Sequence, residues 1–238
     1  MLILPAIDLA NGNCVRLRQG DFDDRTVYSN SPKETARKFF DAGFSFLHIV
    51  DLDGARAGSI TNWDALSAIH SIPDLRTQVG GGVRSTDDIH ALFDLGVSRI
   101  IVGSIAIQKP ELVAGWIREF GANRIVLAMD VRDGLVTYHG WLKSSGQTAG
   151  NFLTRMTHVG AKIILCTDVG RDGMLTGPGV ELYRELRTAF PTIELLASGG
   201  VSVLSDIAAV REVGCAGVVI GKALYEGRIT LEELKQYV

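Results

Sequence analysis

Two aspartates end matching apolar runs: Asp8 in "LILPAIDL" and Asp130 in "RIVLAMDV", 122 positions later, each followed by a Gly-containing turn in "DLANG" and "DVRDG". Carboxyl groups placed alike suit general acid-base work, which needs one charged and one protonated member, and unequal surroundings separate their pKa values. A lone Asp at a strand end caps or anchors a loop as readily as it does chemistry, but a matched pair favours chemistry. Spacing leaves open which member is the acid. A second pair, Asp51 in "FLHIVDL" and Asp168 in "KIILCTDV", stands 117 apart, with Thr167 beside the latter. Both begin Gly-containing loops that an Asx-type hydrogen bond could close. Asp172, before Gly173 in "GRDGML", is a natural turn residue. These three rank below the first pair.

A glycine phrase also occurs twice, as "VGGGVRS" from Val79 and "ASGGVSVLSD" from Ala197. Aligning Gly81 with Gly199 sets an offset of 118, at which Asp88 falls on Asp206, Gly96 on Gly214 and Gly103 on Gly221. Glycine lets backbone N–H groups approach an anion closely, and a helix start adds partial positive charge. Four loops are candidates: Gly81 and Gly82 with Arg84, Gly103 with Ser104, Ser198 with Gly199 and Gly200, and Gly221 with Lys222. A single glycine pair makes a tight turn as readily as an anion site. Four loops in related pairs point to two phosphate sites, hence to a ligand with a phosphate at each end. Ser104 and Lys222 occupy matching places, so the two sites need not be chemically equal.

Among the basic residues, Arg16 and Arg84 are placed by motif, although most surface arginines are simply solvated. Trp141 lies in "TYHGWLKSSG", read as a polar, mobile loop after the fifth strand, where the ring could stack on a heterocycle or pack on a rim.

The elements that must position these groups are eight apolar runs: "LILPAIDL", "FLHIVDL", "RTQVGG", "RIIVGS", "RIVLAMDV", "KIILCTDV", "IELLASGG" and "GVVIGK". Amphipathic segments separate them, several with Ser, Thr or Asn at the start and Gly at the exit. Continuous apolar strands imply burial on both faces, as in a parallel sheet flanked by helices. Eight βα units in 238 residues predict a single-domain α/β protein, a (β/α)8 TIM barrel spanning 1–238, whose active face lies at the C-terminal strand ends. The internal echo predicts two half-barrels, approximately 1–120 and 121–238.

The chain is 46% hydrophobic and 21% charged with a net charge of −3, which gives no footprint for nucleic acid or an anionic membrane. No apolar run approaches the roughly 20 residues of a membrane helix. The N-terminal "MLILPAIDLANG" lacks a basic lead and reads as a first strand rather than a signal peptide. Cys14, Cys166 and Cys215 form no CxxC pair and read as buried thiols of a reducing compartment, so the cytoplasm is expected. His48, His70, His90, His139 and His158 lack zinc-ligand spacing, and His48 reads as a satisfied core residue. No nucleotide loop, metal pattern or nucleophile elbow is present, so no metal and no cofactor are expected; a monomer is expected.

The phrases "PAIDLANGNCVRLRQGD", "HIVDLDGA", "QVGGGVRS", "VGSIAI", "LAMDVRDG", "GW", "CTDVGRDGMLTGP" and "SGGVS" with "VIGKALYEG" span nearly the whole chain. Together they resemble the family of histidine-biosynthesis isomerases that convert phosphoribosylformimino aminoimidazole carboxamide ribonucleotide (ProFAR) to its ribulosyl isomer. The resemblance implies a cofactor-free Amadori rearrangement of a substrate carrying two phosphates. It also implies that Asp8 is the base taking the C2 proton, Asp130 the acid protonating the furanose oxygen, and Thr167 an assistant to Asp130. Arg16, Arg84, Trp141, Asp172 and the loop positions Asp168, Gly173 and Gly177 then hold or cover the substrate. Three other functions stand beside this one. The sister cyclase shares the repeat, but "RLRQGD" looks like the isomerase. An isomerase also accepting phosphoribosylanthranilate and a non-catalytic phosphosugar-binding protein are the others; the last would leave the aspartates unexplained.

Overall fold

The computed structural model describes residues 1–18 and 21–237. Its strands are β1 (Leu2–Ala10), β2 (Asn13–Arg18), β3 (Asp21–Ser29), β4 (Phe46–Asp51), β5 (Arg76–Gly80), β6 (Arg99–Val102), β7 (Ile125–Arg132), β8 (Leu135–Tyr138), β9 (Lys143–Thr148), β10 (Ile163–Asp168), β11 (Glu194–Ser198) and β12 (Gly217–Ile220). Eight of these, the eight apolar runs, pair in parallel in the order β1, β4, β5, β6, β7, β10, β11, β12. Pairing of β7 with β10 and of β12 with β1 leaves no open edge, so the sheet is a closed (β/α)8 barrel.

Strand parity decides what faces inward, because successive side chains point to opposite faces. Leu4, Ala6, Phe46, Ile101, Val126, Ile163, Leu165, Leu196 and Val219 form the interior cluster. At the lower rim Arg76 and Arg99 each stack on the Phe46 ring, 5.1 Å from its centroid. The alternate residues of the same strands, among them Ile3, Ile7, Leu47, Ile49, Ile100 and Ile164, meet the helices in a larger outer core. Both faces are therefore dry, as the continuous apolar runs require. Cys14, Cys166 and Cys215 are free and buried.

The sheath helices are α1 (Pro32–Asp41), α2 (Leu52–Ala57), α3 (Trp63–His70), α4 (Thr86–Asp94), α5 (Ser104–Gln108), α6 (Pro110–Phe120), α7 (Ala149–His158), α8 (Val180–Ala189), α9 (Leu204–Glu212), α10 (Lys222–Tyr225) and α11 (Leu231–Leu234). Caps fix several starts. Ser31 accepts from the Glu34 N–H, Ser85 from Asp88 and Thr148 from Asn151.

Two connections differ from the eight-strand reading. The segment after the fifth barrel strand, expected as a polar loop, holds β8 and β9, and β2 with β3 occupies the corresponding place after β1. Asn11-Gly12 (φ 49° and 72°) and Asp133-Gly134 (φ 52° and 77°) turn these ribbons. Positive φ at both central residues suits the right-handed twist of the flanking strands.

The backbone repeats with the sequence. Gly103 (φ −110°, ψ −96°) starts α5 and Gly221 (φ −112°, ψ −97°) starts α10. Asp88 accepts from the N–H groups of Arg84 and Ser85, and Asp206 does the same for Ser202 and Val203. Gly81 and Gly82 sit at φ 96° and 92°, Gly199 and Gly200 at 92° and 84°. A Cβ on Gly81 would come within 2.1 Å of the Asp51 carbonyl oxygen, and one on Gly200 within 2.2 Å of that of Gly177. Each glycine pair is thus pressed against the backbone of the neighbouring loop, independently of any ligand.

Gly81→Ala and Gly200→Ala should each lower stability in urea denaturation by on the order of 3 kcal/mol, from backbone overlap added to left-handed strain. Gly12→Ala, where a Cβ meets nothing within 4 Å, should cost only about 1 kcal/mol. Equal losses at all three positions would contradict the overlap.

Candidate active site

At the C-terminal ends of the barrel strands one cavity of about 280 Å³ opens. Parity brings the aspartates there. Asp8 is the inward residue above Leu4 and Ala6 on β1, and Asp130 stands above Val126 and Ala128 on β7. The cavity also takes in Arg16, Thr167, Trp141, Asp172, Gly173, Ser198 and Arg84, together with Gly81, Gly82, Gly103, Ser104, Gly199, Gly200, Gly221 and Lys222. Asp168 and Gly177 are placed outside its wall. Asp168 accepts from the Gly170 N–H at 3.2 Å and pairs with Arg171 at 3.3 Å, holding its own loop. Asp51 anchors likewise: wholly buried, it accepts from the N–H groups of Gly54, Thr61 and Asn62 and from the Asn62 amide.

The two aspartates of the first pair have unequal partners. Arg16, carried back over the barrel by β2, donates from Nη1 to Asp8 Oδ2 at 2.6 Å and from Nη2 to the Ala6 carbonyl at 2.8 Å. The side chains of Arg16 and Asp8 keep 14% and 15% of their surface exposed. Tyr225 of α10 lies under the guanidinium, 5.3 Å from ring centroid to Cζ, and its hydroxyl donates to the same Ala6 carbonyl. Burial raises the Asp8 carboxyl above the usual carboxylate range, and the charge and hydrogen bond of Arg16 pull it back. Burial raises Asp130 too, but only hydrogen bonding from the neutral side chains of Trp141 and Thr167 opposes it. A full cation holds the first carboxylate; neutral donors attend the second.

The third acid, Asp172, lies in the loop after β10. Burial pushes it up to about 6; Arg16 lowers it, Asp8 and Asp130 raise it, and Lys222 lowers it. Lys222 ties this loop to the start of α10 by donating to the Gly173 carbonyl at 2.9 Å. Across the mouth, the β8–β9 tip is pinned to α5: the His139 N–H donates to Ser104 Oγ at 3.0 Å, and the His139 ring meets the Gln108 amide at 2.9 Å. Three consecutive residues there, His139, Gly140 and Trp141, have φ of 55°, 61° and 68°. Non-glycine residues held at positive φ store strain of order 1–3 kcal/mol each, a feature that clusters at ligand-clamping sites.

The glycine pairs after β5 and β11 and the helix starts after β6 and β12 therefore face one cavity, with the carboxyls beside them. Backbone N–H groups at such starts, together with Arg16, Arg84 and Lys222, suit anions. Among the described residues no group of three or more His, Cys, Asp or Glu could hold a metal ion, and no helix is long and apolar enough to cross a membrane.

Sequence reasoning missed two residues here. His48 is buried in β4 but also lines the cavity, which counting by two from Phe46 would have shown. Tyr225 lies 209 positions from Arg16, and no local pattern links them.

The family model described as "Histidine biosynthesis protein" matches residues 2–230. A protein of Cytophaga hutchinsonii is 42% identical over 235 residues, covering 99% of this chain and 98% of its own length. One of Xanthomonas oryzae is 43% identical over 236 residues, 97% of each chain. One of Flavobacterium johnsoniae is 40% identical over 238 residues, covering 100% of this chain and 99% of its own. All three are named 1-(5-phosphoribosyl)-5-((5-phosphoribosylamino)methylideneamino) imidazole-4-carboxamide isomerase.

Asp172 makes stability depend on pH. With its pKa raised from 3.8 to about 6 in the fold, its contribution is fully present below about pH 4 and is lost as pH rises through 6. Asp172→Asn should therefore raise stability at pH 7.5 by on the order of 2–3 kcal/mol. That gain should vanish by pH 4 in thermal unfolding followed across pH. A gain independent of pH would refute the shift.

Proposed function

The chain belongs to the histidine biosynthesis protein family, and from that premise we propose that its cavity performs a cofactor-free aldose–ketose isomerisation by two carboxyl groups. The protein is an isomerase of L-histidine biosynthesis, and its reaction is the Amadori rearrangement of ProFAR to the phosphoribulosyl isomer. One observation supports the residue roles above all: Asp8 and Asp130 share a cavity with two matching sets of glycine loops, and only Asp8 has a cation against it.

In this reading Asp130 gives a proton to the furanose oxygen as the C1–O bond breaks, leaving a C1=N iminium. Asp8 takes the C2 proton, whose electron pair becomes the C1=C2 bond of an enolamine while the iminium electrons return to nitrogen. A proton added at C1 and one lost from the C2 hydroxyl then give the ketone, with no net change of protons. Arg16 keeps Asp8 available as the ionised base, whereas burial with no cation against it lets Asp130 carry a proton. Thr167, paired in register with Asp130 across β10 and β7, steadies the acid. Gly81, Gly82, Gly103 and Ser104 bind one phosphate, and Ser198, Gly199, Gly200, Gly221 and Lys222 the other. Arg84, Trp141, Asp172 and Gly173 complete the enclosure, while Asp168 and Gly177 shape the loop that carries Asp172. Anchoring both ends of a flexible substrate supplies several kcal/mol through orientation.

The same proposal places the protein in the cytoplasm as a monomer, divides the barrel at about residue 120, and takes no further partner or cofactor. No observation favours the cyclase, a second anthranilate-type substrate or binding without chemistry. The "RLRQGD" phrase that separated isomerase from cyclase includes Gln19 and Gly20, which lie outside the described residues.

An absorbance assay with ProFAR and no ammonia source should show turnover; its absence would overturn the reading. Asp8→Asn and Asp130→Asn should each lower kcat by about 10³-fold or more, with substrate affinity by calorimetry within a few fold. Near-normal kcat in either would remove that residue from its role. Arg16→Met takes away the charge that lowers Asp8, so the acidic limb of kcat/KM should move to higher pH. An unmoved limb would mean that Asp8 is not the base.

A further inference from the structure

His48 sits within the inward layer of the barrel, between Phe46 below it and Val50 at the cavity wall. Its register neighbours are Ala6 on β1 and Gln78 on β5. The residue is 5% exposed, yet it lines the cavity. Behind it, Gln78 is wholly buried, and its Nε2 lies 2.9 Å from His48 Nδ1. Neither acid nor base in the scheme above uses this ring.

A ring nitrogen that accepts an amide N–H cannot itself carry hydrogen, so the proton of the neutral imidazole resides on Nε2. We propose that His48 donates a hydrogen bond from Nε2 to the C2 oxygen of the open-chain sugar, the oxygen that becomes the ketone, with Gln78 fixing its tautomer from behind. This rests on the isomerase reading. Burial, aided by the Arg16 charge, lowers the ring to about 3, so it neither gains nor gives up a proton at neutral pH. Such an imidazole polarises an oxygen without exchanging protons with the acid and base on either side. Gln78 Oε1 has no partner; the opposite amide orientation would leave Nε2 as an acceptor, and a tautomer measurement separates the two.

The decisive experiment uses the intact protein with 15N-labelled histidine. Long-range 1H–15N spectra from pH 5 to 8 should show His48 neutral and protonated on Nε2 throughout, with its Nε2 resonance shifting on addition of the ribulosyl product. Titration with a midpoint between 6 and 7, an Nδ1–H tautomer, or no response to product would overturn the proposal. In the assay His48→Leu should lower kcat by about 10²-fold with KM within a few fold. His48→Gln, which keeps an N–H donor, should recover most of that loss, and unchanged kcat in His48→Leu would also overturn it. Gln78→Leu should admit an Nδ1–H fraction visible in the same spectra; a pure Nε2–H tautomer there would remove Gln78 as the positioning residue. Should the wild type fail to turn over ProFAR, the isomerase reading fails, while the spectra still report whether His48 is a fixed donor.

Discussion

A carboxylate withdrawn from water needs a compensating partner, and in this barrel Asp8 has a cation while Asp130 does not. The floor beneath both is apolar, built from Leu4, Ala6, Val126 and Leu165, so burial raises both acids. The 2.6 Å contact from Arg16 then works in favour of ionisation on one side only. Removing one partner from such a pair leaves an uncompensated buried charge, which is far costlier than the pair itself. That asymmetry separates two chemically identical side chains. It depends on β2, the ribbon that returns the chain over the barrel, and on Tyr225, whose ring underlies the guanidinium.

The second constraint is the backbone. The doubled glycine loops have matching dihedral angles, and a Cβ at Gly81 or Gly199 would press on the carbonyl of Asp51 or Asp168. These aspartates hold the loops after β4 and β10 in different ways, Asp51 from within by N–H groups and Asp168 beside Arg171. The glycines therefore have two physical reasons to lack side chains: the closeness of the neighbouring loop and their place in the cavity wall. Gly221 adds a third, because a Cβ there would lie 2.3 Å from Arg16 Nη2. The start of α10 and the cation that pairs with Asp8 are thus pressed together.

Much of this was legible because it repeats. Matching apolar runs put Asp8 and Asp130 at the same inward parity, and the 118-residue echo marked the loops beside them. The doubt attached to Asp51 was also physical: an Asp before a Gly-containing loop satisfies that loop's N–H groups, and the structure shows it doing so. Asp168 and Gly177, which the resemblance places in the site, flank the cavity lining formed by Asp172 and Gly173. The ribbons were missed although Asn11-Gly12 and Asp133-Gly134 are strong hairpin turns, because β9 is polar and carries no apolar run. His48 lay hidden as a polar residue inside an apolar strand, where parity rather than residue type reveals the cavity. Contacts between distant segments, such as Arg16 with Tyr225, leave no trace in spacing.

The reacting carbons of a doubly phosphorylated sugar should lie between Asp8 and Asp130, held by anion loops on opposite sides of one mouth. A crystal structure with the ribulosyl product bound tests it most directly. One phosphate should lie at Gly82 and the start of α5, the other at Gly200 and the start of α10, with the C1–C2 bond within reach of both carboxyls. A product bound through a single phosphate, or with C2 turned away from Asp8, would contradict it.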